Sequence, residues 1–186
     1  MESMFNHEKI ADNARESFKG YGRVNLAYGL THKKARLAIA EALDENGNEG
    51  EFRYKIAAFD PQSGLVLSEM TAKPSKKGVA LEFPLKRARV SEGHQGRGIF
   101  TTMVAHSMKV AHEKGMSVAN RPVLNAGMRK ALLPFGWRVT ARRKIKNLQV
   151  AFMGALNENM DSEFIRKMML NIEGIEQPRA INLTDE

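Results

Sequence analysis

The sequence predicts an α+β fold, a mixed and mostly antiparallel sheet flanked by helices, with an extra helix at the C-terminal end. Three observations predict it. Segments of alternating apolar and polar residues follow one another as hairpin arms in the middle of the chain. Stretches of helical periodicity flank that block, and the whole order is helix, antiparallel strands, helix, strand, helix, hairpin, helix. With 186 residues, 42% apolar and 27% charged, the chain suits a single domain, 1–186, able to bury a substantial core.

Taken in order, residues 2–18 read as a polar helix, and GYGRVNLAYG reads as a short strand between glycine breaks. Residues 1–30 as a whole are assigned only as an N-terminal extension. THKKARLAIAEALDENG reads as a helix. Thr31 is its cap, Ala35, Leu37, Ile39, Ala40 and Leu43 are its apolar face, and Asn46-Gly47 is its stop. EFRYKIAAFD and LVLSEMTA are the arms of a hairpin around DPQSG. VALEFPLKRARV is strand-like, with a bulge or break expected at Pro84, which cannot donate to a ladder.

IFTTMVAHSMKVAHEKG makes a helix stopped by Gly115, its methionines filling core. MSVANRPVL is a strand and NAGMRKALLPFGW a short helix ending near Pro134 and Gly136. RVTARRKIKNLQVAFMGAL is a hairpin turning at Lys146-Asn147. DSEFIRKMMLNIEGI is the C-terminal helix, with Asp161 or Ser162 as cap and Glu163 near the capping-box position. QPRAINLTDE, the end of the 161–186 region, reads as a frayed tail.

A net charge of +8 favours acidic ligands such as nucleotides, phosphorylated cofactors or nucleic acid. A solubilising basic surface is the plainer alternative. With no cysteine there is no disulfide, thiolate nucleophile or Cys-ligated metal. No apolar run reaches bilayer length and the N-terminus lacks a signal-peptide core, so the expected location is cytoplasmic, with no membrane partner.

The stretch VSEGHQGRGIFTTM concentrates glycines immediately before a helix. Open backbone amides at a helix start, with the helix dipole behind them, make an anion site. Gly96 and Gly98 let the backbone approach a phosphate closely. A Walker A loop is excluded by sequence, and antiparallel upstream strands disfavour a dinucleotide fold. A tight strand-to-helix turn without ligand is the alternative.

These residues resemble the GNAT superfamily of acyl-CoA-dependent N-acyltransferases. The family signature Q/R-x-x-G-x-G/A is matched by Gln95-Gly96-Arg97-Gly98-Ile99-Phe100, with Val90 at the strand-end position. A second match is Asn125 followed by a short helix and Gly136-Trp137. The likeness covers about Val90 to Val139. It implies acetyl-CoA as co-substrate, with its pyrophosphate on the amides of Gln95 to Thr101 and Arg97 beside a phosphate. Asn125 joins the implied cofactor contacts. Pantetheine would run between strands ending near Val90 and Ala119, and a backbone N–H at Val90 or Ser91 would polarise the acyl carbonyl. Two positions depart from the family. Phe100 stands where Gly or Ala is usual, and Leu132 stands where many members place a proton-donating tyrosine.

For the base, Glu82 is the first candidate and a strand-edge surface charge is its plain alternative. His94 is the second, with a pKa range suited to proton transfer; Glu92 lies near it. Glu69 and Asp60 read as turn or surface residues. His106 and His112 do not share a helix face, and no metal is expected. Arg138, Arg142, Arg143, Lys144 and Lys146 make a basic hairpin, a recruiting surface for an acidic partner or simply a solvated face. The reading is an N-acetyltransferase acting by direct attack of an amine, on a small molecule or a protein. The alternative is a GNAT-fold binding or structural module, with nucleic acid or an acidic partner. Edge strands make a homodimer an expectation.

Overall fold

The computed structural model describes residues 4–45, 52–83, 88–120, 126–145, 148–159 and 162–184. The expectations for Asn46-Gly47, Pro84, Asn125, Lys146-Asn147 and Asp161 lie outside the described residues. The elements run α1 (His7–Ser17), β1 (Arg23–Leu30), β2 (Arg36–Asp44), β3 (Arg53–Phe59), β4 (Val66–Pro74), β5 (Ala80–Phe83) and α2 (Ile99–Glu113). They continue with β6 (Ser117–Asn120), α3 (Ala126–Leu132), β7 (Arg138–Ile145), β8 (Leu148–Ala155), α4 (Ser162–Met168) and β9 (Ile181–Asn182).

One sheet of order β7-β8-β6-β5-β4-β3-β2-β1-β9 carries them. Its described pairings are antiparallel except that of β5 with β6, which is parallel from Ala80↔Ser117 to Phe83↔Asn120. A parallel pair needs a long crossover, and α2 supplies it. The expected α+β plan therefore holds.

Both faces of the sheet are covered. On one, α2 and α4 bury Leu37, Ile39, Ile56, Leu81, Met103 and Trp137. On the other, α1 lays Ile10, Ala14 and Phe18 against Val24, Ala40 and Phe59. Asn6 caps α1 by accepting the Lys9 amide at 3.2 Å. The β3–β4 turn meets α1 so closely that a Cβ on Gly64 would lie 2.7 Å from the Lys9 backbone.

This two-sided cover overturns one expectation. The segment read as a helix from Thr31 is a hairpin turn followed by strand β2. In β2, Leu37 and Ile39 point to the α2 face while Ala38, Ala40 and Ala42 point to the α1 face. A strand buried on both sides shows no alternation, and its apolar run then imitates a helix.

Four further differences follow. The tail is not frayed: Ile181 and Asn182 pair with Val24 and Arg23, and the Gln177 side chain bonds Tyr28 through both backbone groups at 3.0 and 2.8 Å. α4 stops at Met168, since Asn171 leaves the helix to exchange two backbone bonds with Leu30. Among the described residues of VALEFPLKRARV the strand is Ala80–Phe83, and Ala88–Val90 is irregular, so Val90 does not end a described strand. Residues 4–30 do not stand apart: Phe5, Phe18 and the buried residues of α1 and β1 make up more than half of the second core.

Candidate active site

The glycine-rich segment follows β5 and opens α2, which places it at the C-terminal end of the parallel β5–β6 pair. In sheets with parallel strands, ligands bind outside those carboxyl ends. The loop is fixed at its start by Ser91, whose amide and hydroxyl both donate to Leu67 O, at 2.8 and 3.1 Å. The His94 amide closes a turn onto Ser91 O at 3.1 Å, and the Gln95 amide group donates to Val90 O at 3.4 Å. Of the two N–H groups considered for the acyl carbonyl, that of Ser91 is thus already engaged.

Gly96 has φ +76° with no atom within 4 Å of where a Cβ would stand, so the backbone is bare towards solvent there. Gly98, the residue before α2, has φ +82° and a different constraint. A Cβ would sit 2.7 Å from His32 Cε1. No side chain caps α2 and its first turn holds no acid, so the amides from Ile99 to Thr101 point outward with uncompensated dipole charge. Ile99 is buried in the core and Phe100 packs half-buried beside it, anchoring the helix start. The side chain of Arg97 is exposed, while its carbonyl accepts the Thr31 hydroxyl at 2.7 Å. Thr31→Val is expected to cost about 1 kcal/mol of stability and to weaken binding of any loop ligand more than it lowers the melting temperature. Calorimetric titration beside thermal unfolding reads both.

Glu82 lies half-buried on β5, in register with Lys73 on β4 and Ala119 on β6. It points away from the face where its neighbours Leu81 and Phe83 enter the core. His94 faces the β3–β4 turn, with Nε2 3.6 Å from Asp60 Oδ2 and Nδ1 buried without a partner. Asp60 is more than a surface residue. Its Oδ1 accepts from the Ser63 amide and hydroxyl, each at 2.8 Å, and from the Gln62 amide at 3.1 Å. Partial burial raises the Asp60 carboxyl, but the Ser63 and Gln62 bonds and the His94 charge outweigh it and hold its pKa below the ordinary value. Glu69 pairs with Lys55 at 3.0 Å and takes the Ser17 hydroxyl.

One polar cluster escaped the reading of the sequence. His106, on the inner face of α2, has Nδ1 3.1 Å from Glu41 Oε2, and its Nε2 accepts the Leu170 amide at 3.2 Å. Since Leu170 must donate, Nε2 is bare and Nδ1 carries the proton. Tyr54 donates to the other Glu41 oxygen at 2.6 Å. Burial drives the Tyr54 hydroxyl well above its usual range. Burial also pushes Glu41 up, but the hydrogen bonds from His106 and Tyr54 and the Lys109 charge together bring it below its ordinary value. The signal was Glu41 itself, a carboxylate inside an apolar run, which on a helix would have faced solvent. His112 instead meets Asn157 on the exposed side. Among the described residues no group of three acidic or histidine side chains is placed to hold a metal, and no helix is long and apolar enough to cross a membrane.

Leu132 is fully buried, and with Met70, Phe83, Val104 and Trp137 it encloses a small apolar gap that Ser107 also borders. Residues 138–144 of β7 are exposed throughout, Arg138, Arg142, Arg143 and Lys144 among them.

No protein-family model matches the chain and no curated protein matches it in sequence. Solved structures do resemble it in shape. Three of them are acetyltransferases by name. Nourseothricin acetyltransferase is 14% identical, with a TM-score of 0.49 over 77% of this chain and 91% of that one. A putative N-acetyltransferase from Lactobacillus plantarum is 17% identical, with a TM-score of 0.46 over 55% and 68%. An aminoglycoside 6'-N-acetyltransferase, determined in complex with coenzyme A, is 15% identical, with a TM-score of 0.45 over 56% and 73%.

Proposed function

We propose that the chain is an acetyl-CoA-dependent N-acetyltransferase. The observation that carries this reading is the uncapped, acid-free start of α2, preceded by the bare backbone of Gly96 and lying at the carboxyl end of the one described parallel strand pair. That arrangement suits a diphosphate, and the Gln95–Phe100 signature occupies it. The amides from Gln95 to Thr101 would take the pyrophosphate, with the Arg97 side chain beside it. With the Ser91 amide engaged by Leu67, the polarising N–H falls to Val90. The acceptor amine attacks the thioester carbonyl carbon, the C–S bond breaks, and CoA leaves as its thiolate. The amine proton passes to a base, for which Glu82 is the candidate. His94, turned towards Asp60, is read as anchoring the loop rather than as a catalytic residue. A tyrosine acid is not required for a thiolate leaving group.

A thermal-shift titration tests the reading. Acetyl-CoA at a hundred times Kd should raise the melting temperature by about 5–10 °C. An adenine mononucleotide should do so far less. Gly96→Asp adds a negative charge where there is open space and is expected to lose the CoA shift. At φ +76° its side chain is also strained, so its ligand-free melting temperature should fall by a few degrees. That of a Gly96→Ala control should fall likewise, while Gly96→Ala keeps a CoA shift. No shift with any CoA species would favour the second reading, a binding module working through the exposed basic face of β7. Salt-sensitive retention on single-stranded RNA without acetyl transfer would support that module.

A further inference from the structure

The turn joining β1 to β2 is built against the glycine loop. Thr31 is 1% exposed, and its hydroxyl is used three ways: it donates to Arg97 O at 2.7 Å and accepts the Lys33 and Ala35 amides at 3.3 Å each. His32 lies where a Cβ on Gly98 would stand. The next residues, Lys33 and Lys34, are exposed at the tip. Lys34 has φ +62°, the one positive φ outside glycine among the described residues. Glycine or asparagine would relax that turn, yet a lysine is held there.

The charges are unanswered. Among the described residues, no carboxylate pairs with Lys33, Lys34 or Arg97. Partial burial and then the Lys33 charge lower the His32 pKa, as expected beside a locally positive field. The uncapped α2 start adds further positive potential on the loop side.

Coenzyme A carries two different anions. Its diphosphate bears one charge per phosphate and suits backbone amides. Its ribose phosphomonoester bears nearly two charges and suits compact ammonium groups. We propose that the Thr31–Ala35 turn is a second anion subsite, in which Lys33 and Lys34 hold the phosphomonoester and make the protein select CoA over dephospho-CoA. This rests on the acyl-CoA reading of the loop and adds a specificity to it.

Isothermal titration of the full chain with CoA and with dephospho-CoA, at one fixed salt concentration, tests it. The proteins are the wild type, Lys33→Ala/Lys34→Gly, and Lys76→Ala/Lys77→Ala as a charge-matched control. Glycine at 34 keeps the positive φ without strain. Lys76 and Lys77 lie in the β4–β5 turn, at the end of β4 opposite Leu67 and the loop. The wild type should bind CoA at least about tenfold more tightly than dephospho-CoA. In Lys33→Ala/Lys34→Gly the preference should fall below about threefold, with dephospho-CoA affinity unchanged. The control should keep the wild-type preference. Equal wild-type affinities, a preference that survives the turn variant, or an equal loss in the control would each overturn the subsite. Wild-type protein that binds neither ligand would overturn the acyl-CoA reading, and this inference with it.

Discussion

His106→Ala is expected to lower the free energy of unfolding by about 3 kcal/mol, read as a lower urea midpoint at unchanged slope. Three losses combine. The imidazole is 7% exposed, so its removal leaves a cavity between α2 and the sheet. The Leu170 amide loses the acceptor that holds the chain just past α4, next to the Asn171 exchange with Leu30. Glu41 loses the donor that offsets its burial. His106→Phe restores volume without restoring either bond, and should recover only part of the loss. The pH dependence separates packing from the ionic effect. Glu41 has a folded pKa below its ordinary 4.5, so its contribution is present above that value and disappears as pH falls through the folded value. Without His106 the burial cost remains and the folded pKa rises. The stability gap between wild type and variant should therefore be widest above pH 4.5 and narrow on acidification. A gap that stays constant from pH 7 to pH 3 would mean that the histidine acts by packing alone.

Glu82→Gln is expected to reduce kcat/KM by about a hundredfold or more while leaving the KM for acetyl-CoA within about twofold. The assay is thiol release from acetyl-CoA with the best amine from an acceptor screen. The substitution is isosteric, and Glu82 is half-buried between Lys73 and Ala119, so the melting temperature should hardly move. Part of the lost rate should return at high pH, where the acceptor amine loses its proton without help. His94→Gln makes the contrast. Its ring faces Asp60 across 3.6 Å, and its loss should loosen the loop and raise KM more than it lowers kcat. Wild-type kcat/KM in Glu82→Gln would leave Glu82 as a strand charge and move the base elsewhere.

The regions read correctly from sequence are those whose local signal agrees with their surroundings. α1, β3, β4, α2 and the β7–β8 hairpin each carry one dominant periodicity and lie where expected. The segment 31–44 went wrong because α1 and α2 bury opposite faces of β2 and erase its alternation. The tail went wrong for another reason: a two-residue strand at Ile181 has no signal of its own, and exists only because the edge of β1 offers it unpaired backbone groups. In the candidate site, the glycine loop was legible because it is contiguous. The Thr31–Ala35 turn beside it was not, since 66 positions separate Thr31 from Arg97.

By itself, then, the sequence determined the fold class, the glycine-rich turn that opens α2 and the dominance of positive charge. These depend on local backbone freedom, short-range periodicity and composition, all of which survive without knowledge of the neighbours. Only the tertiary structure decided that β2 is a strand, that His106 is tied to Glu41 and Leu170, and that the Thr31–Ala35 turn lies against the glycine loop. Each of these depends on which distant segments the sheet brings within hydrogen-bond reach. Burial turns a carboxylate and an imidazole, unremarkable apart, into a coupled pair.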